Sequence, residues 1–251
     1  MLTCKIKINV LILDEIIKAT GNDKVIVMHL DVSSLKSVRE FAVNFLKKES
    51  KLDVLINNAG RASVTKKRKS ADGIEMTFAT NHYGPFLLTH LLIDLLKKSN
   101  SSRIIVIASY FYKYVDVDLD NLNPVETLPY YLYYSSKAAN VMFAQELAKR
   151  LKDTNVTVNC LHPGMVNTPI FRNVPFPLNL FVKKCFKTPV EGAETTNYCA
   201  VASQLNKTTG KYFSDCKEEK LTKYITDDTR LLRLWEESIK TVKLLPTDPI
   251  I

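Results

Sequence analysis

From Lys24 onward, short runs rich in β-branched residues alternate with longer segments of helical periodicity. That alternation selects βαβ units, because parallel strands need a connection of a dozen or more residues and a helix is the compact way to make one. Strands are expected at Lys24–Leu30, Asp53–Ile56, Arg103–Ala108 and Val156–Cys160. The third is almost continuously β-branched, as a strand covered on both faces should be. Helical spacing marks Ser34–Lys48, with Leu35, Val38, Phe41, Ala42 and Phe45 on one stripe, then Gly73–Lys98 and Tyr131–Lys152. Thr188-Pro189-Val190-Glu191 combines a capping residue, an N1 proline and a glutamate that closes the box, so a further helix starts there. Residues 5–13 alternate like a strand before Asp14–Thr20 turns helical, and a short strand followed by a helix is expected. Residues 170–187 hold Pro175 and Pro177 among Phe176, Leu178, Leu180, Phe181, Val182 and Phe186. This is too broken for a core strand and reads as a partly helical lid.

Composition narrows the function classes. With 251 residues, 46% hydrophobic and 24% charged, the chain suits one α/β domain, residues 1–251, and excludes a disordered or fibrous protein. No apolar run approaches the roughly 20 residues of a membrane-spanning helix, and Met1–Lys5 lacks a secretory h-region. The net charge of +9 raises the question of a polyanionic partner. Much of it is local, in Lys66-Lys67-Arg68-Lys69, Lys97-Lys98 and Lys183-Lys184, beside apolar segments and without any nucleic-acid-binding module, so a solvated surface and no nucleic acid are expected. Five scattered cysteines without a CxxC pair, and His29, His82, His90 and His162 without partner spacing, indicate no metal site and no disulfide framework. A reducing compartment on the cytoplasmic side fits best.

Tyr133 and Lys137 are four apart in a helical segment, hence one turn apart on one face. A phenol with a pKa near about 10 is a poor acid or base at neutral pH, and a nearby ammonium would lower it. Alone, such a pair is as readily a surface contact. Its surroundings change the reading: Ser109 ends the strand 103–108, Asn57-Asn58-Ala59-Gly60 ends the strand before it, and Pro163-Gly164 the strand after it. In an open parallel sheet those carboxyl ends face the ligand crevice.

In this order the pieces resemble the short-chain dehydrogenase/reductase family, most closely its retinol dehydrogenases. The resemblance is carried by Asp31-Val32, Asn57–Gly60, Asn81-His82-Tyr83-Gly84-Pro85-Phe86, Arg103–Ser109, Tyr133-Tyr134-Ser135-Ser136-Lys137 and Pro163–Thr168, and it runs from about Met1 to Leu245. It implies a Rossmann-like doubly wound parallel sheet and a reaction that interconverts a lipophilic alcohol and its aldehyde or ketone. It implies a nicotinamide cofactor, NADP(H) rather than NAD(H). The same likeness makes Tyr133 the general acid or base, with Lys137 lowering its pKa and holding the nicotinamide ribose. Ser109 orients the substrate oxygen, and Asn81 holds a water behind Lys137 or else caps a local backbone irregularity. Asp31 and Val32 would meet the adenine, Asn57, Ala59 and Gly60 the cofactor cleft, and Pro163, Gly164, Val166 and Thr168 the nicotinamide end. Residues 170–187 would be the substrate lid or simple packing, with 174–186 in contact with a membrane surface. Relatives often carry an N-terminal anchor at the endoplasmic reticulum; this sequence contains none.

One element of the family pattern is missing. Only Gly21 precedes Gly60 among seven glycines, so the first strand and the glycine-rich phosphate turn that follows it are not found, and the pattern begins at its second strand, Leu2–Lys5. Lys5 stands where relatives place a basic residue that selects the NADP phosphate. The sequence therefore reads as an N-terminally truncated sheet, from either an incomplete enzyme or a binding protein with impaired catalysis that uses its basic surface or apolar lid. Substrate, reaction direction and oligomeric state stay open at this level.

Overall fold

The computed structural model describes residues 6–62, 68–167 and 186–251. Helix α1 (Ile6–Thr20) and α2 (Leu35–Leu46) precede strand β1 (Val54–Asn57). A short α3 (Met76–Phe78), a π-helical turn (Ala79–Tyr83) and α4 (Gly84–Lys98) follow without a break. Then come β2 (Ser102–Ile107), a 3-10 turn (Tyr110–Tyr114), α5 (Pro129–Arg150), β3 (Val156–His162), α6 (Pro189–Val201), the hairpin β4 (Lys211–Ser214) and β5 (Lys217–Glu219), and α7 (Asp228–Val242).

The strands lie in sequence order, β1-β2-β3-β4-β5. The first three pairings are parallel, and β5 returns antiparallel to β4. Both faces of the sheet are covered, and the strand period of two shows it. Ile104 and Val106 of β2 enter the large core with α2, α4, α5 and α7, whereas Ile105 and Ile107 meet Cys199 and Ala200 of α6 on the opposite face. Caps fall where the sequence places them: Ser34 accepts from Ser37 N at the start of α2, and Thr188 and Glu191 form a complete capping box on α6. On the α6 face, Arg103 is buried and its guanidinium donates to Cys199 O, Ala202 O and Asn206 Oδ1, neutralising the carboxyl end of that helix.

Two expectations are corrected. Lys24–Leu30 runs without ladder bonds rather than as a strand, because no strand among the described residues lies beside it to accept its backbone groups. The alternating segment from residue 5 is helical from Ile6 onward, a conformation that satisfies its own N–H and C=O groups where a strand would need a neighbour. The lid expected at 170–187 falls outside the described residues up to 185. Lys187 is described and pairs with Val166 in a parallel bridge.

Gly84 fixes the loop that carries Asp31 and Val32 against the start of α4. A Cβ built at Gly84 would overlap the Val32 carbonyl oxygen, which is backbone and cannot swing aside. Gly84→Ala should therefore cost at least about 2 kcal/mol, read as a lower urea midpoint. A second prediction concerns His82 and His90, which are buried and pulled down to about 4 by desolvation. Unfolded imidazoles titrate near about 6.5, so the unfolded chain takes up protons that the folded one refuses between pH 6.5 and 4. Stability should be fully present above that window and fall through it, by an amount on the order of 3 kcal/mol per histidine; His90→Phe should flatten the slope of the urea midpoint against pH.

Candidate active site

The carboxyl ends of β1, β2 and β3 bring three loops to one edge, and α5 crosses behind them. Helix α5 carries Tyr133 and Lys137 one turn apart, with the Lys137 ammonium 5.8 Å from the Tyr133 ring centroid. Lys137 is buried and forms no ion pair among the described residues; its Nζ donates to the Ile107 carbonyl at 2.9 Å. Loss of hydration pulls its pKa down to about 8. Asn140, one turn further along α5, donates Nδ2 to the same carbonyl at 3.3 Å.

Ser109 follows β2 and caps the 3-10 turn, its Oγ accepting from Phe111 N at 3.4 Å. Burial pushes the Tyr133 phenol above its ordinary value and Ser109 pulls it back. The Tyr133 shift carries no lowering from Lys137, whose ammonium lies over the ring at 5.8 Å from its centroid and gives one proton to Ile107 O. The pair is therefore a protonated phenol beside a weakened ammonium.

Asn81 lies within the π turn, fully buried. Its Oδ1 accepts from Arg61 N at 2.8 Å, and its Nδ2 donates to Arg61 O at 3.0 Å and to Ser136 Oγ at 2.9 Å. Ser136 Oγ in turn donates to the Tyr133 carbonyl at 2.8 Å. Asn81 thus ties the loop after β1 to the backbone under Tyr133. Ser136 and Asn140 were not singled out for a role from the sequence; Ser136 is next to Lys137, and only the i+3 spacing of Asn140 hints at a shared face.

The remaining predicted residues divide. Gly60 belongs to the cluster, since a Cβ there would stand 3.3 Å from Lys137 Nζ and 3.6 Å from Asn81 Oδ1. Asn57 turns inward instead, donating to Thr89 Oγ1 at 3.0 Å, so only its backbone borders the cleft. Ala59 packs against the core. Asp31 is exposed, with its carboxylate accepting from Ser33 N and Ser33 Oγ; Val32 is buried beneath it. Pro163 and Gly164 turn the chain after β3, with Gly164 against the Lys187 side chain, and Val166 directs its methyls onto Gly192. Lys5 and Thr168 lie outside the described residues. The described residues include no group of acids, cysteines or histidines able to hold a metal ion, and none of their helices is long and apolar enough to cross a membrane.

A dinucleotide can be tested against this geometry in two halves. At the nicotinamide end the fit is good: the space a Cβ would fill at Gly60 lies over an ammonium with two protons left for ribose hydroxyls. At the phosphate end, Gly21 is the one glycine before Gly60. It has φ +67 and closes α1 by donating to Ile17 O, so it is a C-terminal cap and not the amide-rich helix start that binds phosphate.

Comparison with known proteins agrees with this architecture. The sequence pattern of the family described as short chain dehydrogenase matches residues 6–176. Retinol dehydrogenase 14 of Homo sapiens is 47% identical over 233 residues, which are 90% of this chain and 69% of that protein. Retinol dehydrogenase 11 of Homo sapiens is 41% identical over 231 residues, 91% of this chain and 72% of that one. Among solved structures, a short chain dehydrogenase from Salmonella enterica superposes with a TM-score of 0.66 at 18% identity, covering 86% of this chain and 84% of that chain. An NADPH-bound carbonyl reductase from chicken fatty liver gives 0.59 at 23% identity, covering 80% and 79%.

A buried cation without a counter-charge destabilises the fold that holds it. The fall from 10.5 to about 8 corresponds to a penalty on the order of 3 kcal/mol below pH 8. Between pH 8 and 10.5 the unfolded chain keeps a proton that the folded chain has shed, so stability rises with pH through that window. Lys137→Met should raise the melting temperature at pH 7 by several degrees and abolish that rise. An unchanged or lower melting temperature would show that the ammonium is compensated.

Proposed function

The chain belongs to the short-chain dehydrogenase family, an NAD(P)-dependent oxidoreductase by that membership, and on that premise we propose that it interconverts a lipophilic alcohol and its aldehyde or ketone, using NADP(H) in preference to NAD(H). The observation that carries this reading is the convergence of Ser109, Tyr133, Lys137 and Asn81 at the carboxyl edge of β1 and β2, held by the Ile107 and Arg61 backbones. Hydride transfer is the chemistry that a bound nicotinamide supplies. The protein's own part is the proton and the orientation. In reduction, Tyr133 gives its phenolic proton to the carbonyl oxygen as the carbonyl carbon is reduced; in oxidation, the phenolate takes that proton back from the alcohol. Burial keeps Tyr133 protonated in the free chain, so the proton is in place for reduction, and polar groups brought in by the bound ligands would have to lower its pKa for efficient transfer. Ser109, beside Tyr133, directs its hydroxyl to the same oxygen, and Lys137 holds ribose hydroxyls. Asn81 fixes the backbone from which Tyr133 projects.

The lipophilic substrate follows from the likeness to retinol dehydrogenases together with the apolar residues of segment 170–187, which we assign as the lid. The NADP(H) preference follows from Lys5, at the position of a phosphate-selecting base in relatives. A second reading, a chain that keeps the fold and binds cofactor weakly, is favoured by the cap position of Gly21. Reduction of all-trans-retinal by the purified chain should be faster with NADPH than with NADH. Tyr133→Phe should lower the rate by at least about 10²-fold and Ser109→Ala by about tenfold or more, with both variants still folded. Cofactor-dependent reduction that survives Tyr133→Phe would reject the assignment. Absence of NADPH binding in a fluorescence titration would select the second reading.

A further inference from the structure

The chain between Ser109 and α5 is long, and from Val115 to Leu128 it runs without helix or strand. Its one helical piece is the 3-10 turn Tyr110–Tyr114, which Ser109 caps. Ser109 and Val115, on either side of that turn, are both extended. The turn therefore has no helix to run into, and its last carbonyls find no donor within it. The donor comes from a distant part of the chain. Tyr224, in the 3-10 turn Lys223–Ile225 that precedes α7, donates its hydroxyl to Tyr112 O and to Val115 O, the latter at 3.0 Å. A phenol has one proton, so the two carbonyls share it.

Tyr112 is gripped from three directions. Its ring is fully buried and edge-on to that of Tyr212 at 5.1 Å. Its N–H donates to Ser109 O at 3.2 Å, and its carbonyl takes the Tyr224 proton. Bonds at both ends of one residue restrain its φ and its ψ, and in so short a turn those two dihedrals decide whether the turn exists. Ser109 depends on the outcome: its Oγ accepts from Phe111 N at 3.4 Å, a bond that lasts only while the turn is formed. A serine on extended backbone without that bond hops among its three rotamers. Other groups tie the same stretch down farther on. Arg230 of α7 donates to the Asp116 carboxylate and to Val117 O at 3.0 Å, and Arg233 to Asp120. Both aspartates are exposed, where an ion pair contributes little. Tyr224 differs in reaching the turn itself, and burial, then the Asp116 carboxylate, hold its phenol above the ordinary range, so it stays the donor.

We propose that Tyr224 is a positioning residue for the reaction: through Tyr112 it holds the turn that Ser109 caps, and so keeps the Ser109 hydroxyl in the orientation that the reacting oxygen requires. This rests on the oxidoreductase reading for the site. Tyr224 acts on Ser109 through Tyr112, by removing conformations and not by contact with substrate. A serine that has to be ordered anew in each catalytic cycle loses part of the advantage of a preset donor. That loss falls on the chemical step, because the donor matters most where charge develops on the oxygen. Uniform binding of substrate is not touched. The signature of the role is therefore a fall in kcat that exists only while residue 109 has a hydroxyl to be positioned.

The test uses Tyr224→Phe in the full chain, which removes one oxygen and keeps the half-buried ring, so the packing is retained; circular dichroism checks the fold. Hydrogen–deuterium exchange read by mass spectrometry, without cofactor or substrate, should show the amides of Phe111 and Tyr112 exchanging about tenfold faster in the variant, with α4 unchanged. In reduction of all-trans-retinal with NADPH, kcat should fall about fivefold while KM for retinal stays within twofold. In a Ser109→Ala background the same substitution should change kcat by less than twofold. Equal losses in the two backgrounds would show a merely structural tyrosine and overturn the proposal. Unchanged exchange at Phe111 and Tyr112, or an unchanged kcat, would overturn it as well. Absence of reduction by the wild-type chain is instead a failure of the oxidoreductase reading, and the exchange arm then decides by itself whether Tyr224 holds the Ser109 turn.

Discussion

A lysine ammonium held in the interior by a backbone carbonyl is the contact around which the rest of the site is arranged. Among the described residues Lys137 has no carboxylate beside it, and its burial costs stability that an apolar side chain would return. The sheet makes the position tolerable. Ile107 is the last residue of β2, and its carbonyl points to α5, where it accepts from both Lys137 and Asn140. A carboxylate in place of that carbonyl would raise the lysine pKa and fix all its protons. A single neutral acceptor leaves protons free for another oxygen-rich group, and that is what a ribose presents.

The second requirement is a rigid floor beneath Tyr133, and the π turn supplies it by facing two ways. On one side Asn81 spends its whole amide on Arg61 and Ser136. On the other, His82 reaches Ser238 of α7 at 2.9 Å. Ser238 Oγ already donates its proton to Leu234 O, so it accepts from His82, and the imidazole must carry its proton on Nε2. Burial keeps that ring neutral, which preserves the tautomer across the physiological range. His82 also packs on Phe86 and Phe143, which surround Trp235 of α7. The last helix of the chain is thereby docked onto the turn that positions the first loop of the site, so core packing and site geometry share the same residues.

Much of this is written locally in the sequence, and the rest is not for identifiable reasons. The buried parallel strands read directly from β-branched runs, and Thr188–Glu191 marks its helix start by its own chemistry. Ser109, Tyr133 and Lys137 were legible as a strand end plus an i, i+4 pair, because those positions follow from period and topology, whereas Asn81, inside an apolar helical run, entered only through the family resemblance. Lys24–Leu30 has the residues of a strand but no neighbour, and pairing is a property of two segments, not one. The inward turn of Asn57 depends on Thr89, 32 positions away. The sign of the Tyr133 shift depends on burial that no spacing reports.

The network beneath the site is closed largely by backbone groups: Arg61 N and O, Tyr133 O and Ile107 O. Tyr133 O and Ile107 O sit in regular elements, and Arg61 N and O are pinned by the buried Asn81 amide, so these partners do not have to be ordered again when a ligand arrives and the cost of organising the site is met during folding. Gly21, by contrast, is spent on closing α1, with its N–H donated to Ile17 O. The two features draw on separate parts of the chain. The cluster is tied to the core through Asn81, His82 and Gly84. The cluster of Ser109, Tyr133, Lys137 and Asn81 is for that reason a companion of this core.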